Sequence, residues 1–300
     1  MSRDLSLRKL RYFLAVAESG KVTQAAVDLN VSQSSITTGV REIEEQLGVA
    51  LFQRTAQGMT LTQQGSRFLQ QVRLVFQTID EAFDSLEDTS MAVTGTLNLA
   101  MSYTVAGYFI PPLLARFQRR HPGVQVRLHE APRPAIQQGL RSGEFDLAIV
   151  LTSNIDQASG LGRQTLLHSP RRLWVSSHHP LLQRESIRLR DLVDEPYIML
   201  TVDEADQTAM RYWDPTGLAP NILFRTSSVE AVRSMVANGT GICILSDMVY
   251  RPWSLEGRRI EHIDLDDPIP TMEVGLAWPE QKPLSDPARA FQELATSYHY

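Results

Sequence analysis

The stretch "NVSQSSITTGVREIEEQLG", Asn30 to Gly48, decides the fold at the front of the chain. Ser32 is a good N-cap, and Gly48 suits the position just past a helix end. Between them Ile36, Val40, Ile43 and Leu47 recur at spacings of three and four, one apolar seam of a helix. Asn30-Val31 makes a tight turn before it. The leading turns carry Gln33, Ser34, Ser35, Thr37 and Thr38, a run of short polar side chains. Capping and solvation account for such a run, and so does insertion of this helix end into the edge of a DNA duplex.

The flanking segments extend the pattern. In "SLRKLRYFLAVAES" Leu7, Leu10, Phe13, Leu14 and Ala17 predict a first helix that Gly20 ends. "KVTQAAVDL" predicts a short second helix with Val22, Ala25, Ala26 and Leu29 inward. After Gly48, "ALFQRT" and "GMTLT" read as two short strands joined around Gln57-Gly58, so the order is helix-turn-helix and then a hairpin wing. Reading a major groove needs short donors and acceptors on the leading turn of a protruding helix. Gln33 can pair with an adenine edge, and a helix N-terminus attracts phosphate. Arg41, further along the helix, and Arg54, in the wing, are placed for backbone contact.

From Gln63 to about Asp88 the chain predicts a long helix. Phe68, Val72, Val75, Phe76, Ile79, Phe83 and Leu86 form a stripe on it. A stripe of that length must be buried, and pairing with the same helix of a second copy is the economical solution. Packing on its own carboxy-terminal domain is the alternative. After Thr94-Gly95 strands and helices alternate, from the strand "GTLNLAMS" to a final helix in "SDPARAFQELATSY", which favours parallel or mixed sheets covered by helices.

Composition sets the outer limits. Three hundred residues suit about two domains, and 43% hydrophobic with 21% charged residues is ordinary for a globular protein. The single cysteine, Cys243, excludes an intrachain disulfide and fits a reducing compartment. The first residues make a poor signal peptide, and no apolar run suits a membrane span, so the expected location is cytoplasmic with no membrane partner. The net charge is -5, yet residues 1–65 carry seven Lys/Arg against six Asp/Glu and are the least acidic part. Placement of the bases, more than their sum, would govern DNA binding.

The segment "LRYFLAVAESGKVTQAAVDLNVSQSSITTGVREIEEQLGVALFQRTAQGMTLTQQG", Leu10 to Gly65, resembles the winged helix-turn-helix of the LysR-type transcriptional regulators. The match is gapless and rests on Phe13, Ala25-Ala26, Leu29, Val31-Ser32-Gln33, Ile43-Glu44, Leu47-Gly48, Leu51-Phe52, Arg54 and Leu61-Thr62-Gln63-Gln64-Gly65. The resemblance implies a DNA-binding domain over 1–65, a linker and dimerisation helix over 66–90 and an effector-binding domain over 91–300. The fold class is then an all-α winged helix-turn-helix plus a long linker helix, followed by an α/β effector domain of two Rossmann-like lobes, like a periplasmic binding protein. Lobe one would span 93–164 with 272–300 and lobe two 165–269, with crossings near Leu161–Leu167 and Asp266–Thr271. Ser32, Gln33, Ser34, Ser35, Thr37, Thr38, Arg41 and Arg54 would be the DNA-binding set. This chain departs from the family at Thr38-Gly39, where long polar side chains are usual, and in the uncharged wing "AQGM".

By the family pattern the effector cleft lies at the carboxyl ends of strands, where Ser102, Tyr103, Thr104, Thr152, Thr201, Ser227 and Ser228 fall. Hydroxyls and backbone amides there suit a small organic acid. No cofactor and no metal are expected. The implied partners are double-stranded promoter DNA, a second copy and then a tetramer, RNA polymerase, and a small-molecule effector. The output would be activation of a neighbouring metabolic operon and repression of its own gene. Two rivals belong to other classes: a small-molecule-binding protein, and an enzyme on a Rossmann-like sheet, in both of which the first helices would not read DNA. The sequence has no nucleophile elbow, Walker loop or dinucleotide fingerprint to support an enzyme. Bland expectations cover the rest: His178-His179 in a surface loop, Arg171-Arg172 on a solvated strand edge, Cys243 and Phe145 in the core.

Overall fold

The computed structural model describes residues 5–55, 58–84, 93–156 and 159–298. The chain divides into two compact units, Met1–Thr89 and Ser90–Tyr300.

In the first unit α1 (Leu7–Ser19), α2 (Val22–Asp28) and α3 (Gln33–Leu47) pack on one another. They bury Leu10, Phe13, Val16, Ala25, Ala26, Ile36, Val40 and Ile43, the residues that helical spacing turns inward. The turn before α3 uses Asn30 at φ 52, a left-handed position that asparagine tolerates. The wing is the antiparallel hairpin β1 (Phe52–Thr55) and β2 (Gly58–Leu61). Glu44 joins α3 to it: one carboxylate oxygen accepts from the amides of Leu51 (2.6 Å) and Phe52 (3.1 Å).

The long helix α4 (Gln63–Asp84) follows. Its apolar stripe divides, which corrects the expectation of one continuous dimer face. Phe68 packs edge-on against Phe13 at 5.0 Å, Val72 is buried, and Phe76 packs on the same core with Arg11 over its ring. These three complete the three-helix core, which is too small to close alone. Val75 and its neighbour Leu74 stay exposed, and Ile79 is half-buried. The side chain of Phe83 and all of Leu86 lie outside the described residues.

The second unit has two lobes of like topology. Lobe one holds β3 (Gly95–Met101), α5 (Tyr103–Tyr108), α6 (Ile110–Arg120), β4 (Val124–Glu130), α7 (Arg133–Ser142), β5 (Leu147–Leu151) and β6 (Leu161–Ser169). Lobe two holds β7 (Arg171–Ser176), β8 (Pro196–Leu200), α8 (Ala205–Trp213), β9 (Asn221–Thr226), α9 (Val229–Ala237), β10 (Cys243–Ser246) and β11 (Ile260–Ile263). The chain then returns through β12 (Met272–Pro279) and α10 (Asp286–Ser297) to lobe one. The first sheet runs β4-β3-β5-β12-β6, with β4, β3 and β5 parallel and β12 antiparallel to β5 and β6. In lobe two β9 pairs in parallel with β8, and β7 lies antiparallel between β10 and β11. A bridge from Tyr197 to Ile242 joins these pieces, giving the order β9-β8-β10-β7-β11. Three parallel strands, then one antiparallel to them, then a fifth antiparallel to the fourth, therefore occur twice.

The first crossing lies at Pro170, not near Leu161–Leu167. β6 stays paired with β12 as far as Ser169↔Met272, so residues 165–169 belong to lobe one. Proline cannot donate to a ladder, and it ends the strand there. The chain re-enters the first sheet at Met272, where β12 begins. The crossings are tied together: Arg171 donates through Nη1 to the Pro270 carbonyl. Nearby, the Ser246 hydroxyl donates to that of Ser169 (2.7 Å), which also accepts from the Met248 amide (2.9 Å). Arg171-Arg172 is thus no solvated edge, since β7 is an inner strand of its sheet.

Candidate DNA-reading helix and effector cleft

On α3 the two faces separate cleanly. Ile36, Gly39, Val40 and Ile43 are buried, while Ser32, Gln33, Ser34, Ser35, Thr37, Thr38 and Arg41 are exposed. The Ser32 hydroxyl accepts from the Ser35 amide at 3.1 Å and lies 2.9 and 2.8 Å from the hydroxyls of Ser34 and Ser35. The three serines form one cluster at the helix start. Thr37 turns its hydroxyl back onto the Gln33 carbonyl (2.9 Å). Arg41 pairs with Glu45 at 3.1 Å on an exposed surface, a bond that phosphate can replace at small cost. Arg54 is exposed on β1.

Gly39 has a packing reason. A Cβ at this position would stand 2.7 Å from the Tyr12 ring, which is buried. Only glycine lets α1 and α3 approach so closely here.

In the second unit the carboxyl ends of β3, β4 and β5 in lobe one meet that of β8 in lobe two. Ser102 precedes α5; it is buried, and its hydroxyl has no hydrogen-bond partner among the described residues. Tyr103 is exposed and Thr104 buried. The Thr152 hydroxyl lies 3.3 Å from that of Thr165. The Thr201 amide donates to the Thr226 carbonyl at 2.9 Å. Ser228 is engaged as the cap of α9, accepting from the Ala231 amide at 3.1 Å, and Ser227 is exposed.

Sequence reasoning missed the charged groups that span this cleft. The Asp203 carboxylate accepts from the Thr104 amide (2.7 Å), and Asn154 donates to the Asp203 carbonyl (3.1 Å). Glu204 takes Arg133 Nε with both carboxylate oxygens at 2.8 Å. The acidic pair in "TVDEA" directly after a strand was the available signal.

A second charged cluster lies within lobe two. Arg172 pairs with Asp247 (3.3 Å) and Asp264 (3.1 Å), and its Nη1 is 3.1 Å from His262 Nδ1. Burial, and then the Arg172 charge, push the His262 pKa down to about 4. Burial raises that of Asp247 to about 6 against the pull of Arg172. Cys243 and Phe145 are buried, and burial pushes the Cys243 thiol up, which suits a core residue. His179 accepts from the Leu181 amide at the start of a short helical turn.

Comparison with known proteins agrees with this arrangement. Residues 7–66 match the family described as bacterial regulatory helix-turn-helix protein, lysR family. Residues 92–299 match the LysR substrate binding domain. The chain belongs to the LysR family of transcriptional regulators. It is 30% identical to the RuBisCO operon transcriptional regulator of Allochromatium vinosum over 98% of this chain and 96% of that one. It is 28% identical to the transcriptional dual regulator OxyR of Escherichia coli over 93% and 91% of the two chains. Among solved structures it resembles HinK, a LysR family regulator of Pseudomonas aeruginosa, with a TM-score of 0.63, 30% identity and 98% of each chain covered. The protein is therefore a DNA-binding transcriptional regulator with an effector-binding domain, and not an enzyme. No helix among the described residues is long and apolar enough to cross a membrane.

Proposed function

We propose that the leading turns of α3 enter the major groove of promoter DNA and read it with Gln33, Ser34, Ser35 and Thr38. The Thr37 methyl contacts a thymine, and Ser32, Arg41 and Arg54 contact phosphates. The observation that carries this reading is the exposure of every polar residue of that turn while Ile36, Val40 and Ile43 are held in the core. A second copy pairs through the face of α4 left outside the head core, where Val75 is exposed and Ile79 half-buried. Two such dimers form the tetramer on DNA. The protein acts in the cytoplasm and contacts RNA polymerase at the promoter.

The cleft between the lobes takes a small organic acid, with the Ser102 hydroxyl, Thr104, Thr152 and Thr201 around it. Tyr103 and Ser227 stand at the exposed rim, and Ser228 orders the start of α9. Binding shifts the balance between lobe arrangements and activates a neighbouring metabolic operon, while the regulator represses its own gene. The test is footprinting on the DNA upstream of its own gene. Gln33→Ala should weaken protection about 5- to 150-fold, in line with a bidentate base contact of about 1–3 kcal/mol. Protection of the same bases at the parent's affinity would refute the assignment.

A further inference from the structure

Asp203 and Glu204 stand out beyond their place beside the cleft. They are consecutive, neither is glycine, and both hold left-handed backbone, at φ 51 and φ 62. Side chains other than glycine, and sometimes asparagine or aspartate, rarely adopt it even singly. Among the described residues Asn30 alone, besides glycines, shares that region. A glycine pair would make the same turn without strain but would bring no carboxylates. Here the turn aims both carboxylates at the opposite lobe. Asp203 accepts from the Thr104 amide and Glu204 holds the side chain of Arg133, the first residue of α7, while Asn154 fixes the Asp203 carbonyl. Glu204 and Arg133 are each less than a third exposed, so solvent screens the pair little. No other element of lobe two presents two carboxylates to lobe one among the described contacts.

We infer that the Thr201–Ala205 turn is an internal latch, whose Asp203–Thr104 and Glu204–Arg133 contacts hold the two lobes closed and so set how readily the cleft opens. The backbone of the turn is anchored in lobe two by the Thr201 amide on the Thr226 carbonyl, while both carboxylates are held by cross-lobe partners, so the turn has two arrangements. With the partners engaged it is left-handed; once they part, both residues relax to ordinary backbone and the carboxylates leave the cleft. That gives the lobes two discrete states for a ligand to bias, which a soft polar cleft would lack. The regulatory meaning rests on the reading of the cleft as the effector site; the latch itself is a property of the contacts.

The test places spin labels on exposed positions of each lobe, Gln118→Cys and Gln183→Cys, in the full chain diluted with unlabelled protein. Cys243 is 1% exposed and escapes labelling. Asp203→Ala and Glu204→Arg should each add a longer interlobe distance absent from the parent. The swap Arg133→Glu with Glu204→Arg should restore the parent distribution, which a merely structural role for either residue would not do. Parent distances in both single variants would overturn the latch, and so would a swap as open as Glu204→Arg alone. Retardation of promoter DNA is measured on the same samples. Unchanged distances with intact retardation defeat the latch and leave the regulator standing. Loss of retardation in the parent defeats the DNA reading whatever the distances show.

Discussion

Gly39→Ala offers a sharp test of how the head is packed. In a free helix the change would stabilise by about 1 kcal/mol, since glycine is a poor interior residue. Here the new Cβ would stand 2.7 Å from Tyr12 Cδ2 and 3.5 Å from Cε2. The ring has little room to retreat, being 7% exposed and part of the same core. Overpacking of this kind costs about 1–3 kcal/mol, so against the propensity gain the net effect is a loss of up to about 2 kcal/mol. All four tryptophans lie at positions 174, 213, 253 and 278, in the second unit. Urea unfolding can therefore be followed by ellipticity at 222 nm, which sees both units, and by tryptophan emission, which sees only the second. The variant should shift the head transition down by about 1 M urea or less and leave the emission midpoint alone. In a Tyr12→Ala background, itself destabilised, the ring is gone and Gly39→Ala should turn stabilising by about 1 kcal/mol, a coupling of about 1–3 kcal/mol. A Gly39→Ala variant more stable than the parent, or additive effects across the cycle, would refute the close-packing argument.

Other outcomes follow from the same geometry. Glu44→Ala leaves the amides of Leu51 and Phe52 without their acceptor and should cost the head about 2–3 kcal/mol, read by the same ellipticity transition, with DNA retardation lost as the wing loosens. The Arg172 cluster predicts opposed pH effects in lobe two. His262, with a pKa lowered to about 4, binds fewer protons folded than unfolded, so its contribution to stability falls as pH drops from about 6.5 to 4. Asp247, raised to about 6, binds more protons folded than unfolded, so its contribution improves as pH drops from about 6 to 4. In the parent the two largely offset. Asp247→Asn should lose about 1–2 kcal/mol on acidification across that window, and His262→Asn should gain a similar amount, measured by emission-monitored urea unfolding; equal pH profiles in the two variants would contradict the assignment. Thr104→Val keeps the amide that Asp203 uses but removes a buried hydroxyl, and should blunt the effector dose response in a reporter assay while DNA retardation stays unchanged.

Much of the fold was legible because periodicity reports burial directly. The seams of α1, α2 and α3, the hairpin wing and most strands of the second unit follow from spacing alone. What escaped has physical causes. α5 is six residues long, too short for a period to show, and α8 begins in an acidic stretch that reads equally well as a loop. β11 has four residues, and its partner β7 lies more than eighty positions earlier in the chain. The stripe on α4 gave no sign of where its intramolecular part ends, because Phe68 and Val72 look no different from Val75 in sequence. Gly39 reads as a missing DNA contact until the Tyr12 ring is seen against it. At the cleft the hydroxyl residues could be placed by strand ends, whereas Asp203, Glu204 and Arg133 gain meaning only when distant loops are brought together.

The tie between Arg171 and the Pro270 carbonyl has a mechanical consequence. Two strands joining rigid bodies normally permit both swing and twist. Pinned side by side, they behave like one knuckle of a door, and twist would have to break the bond.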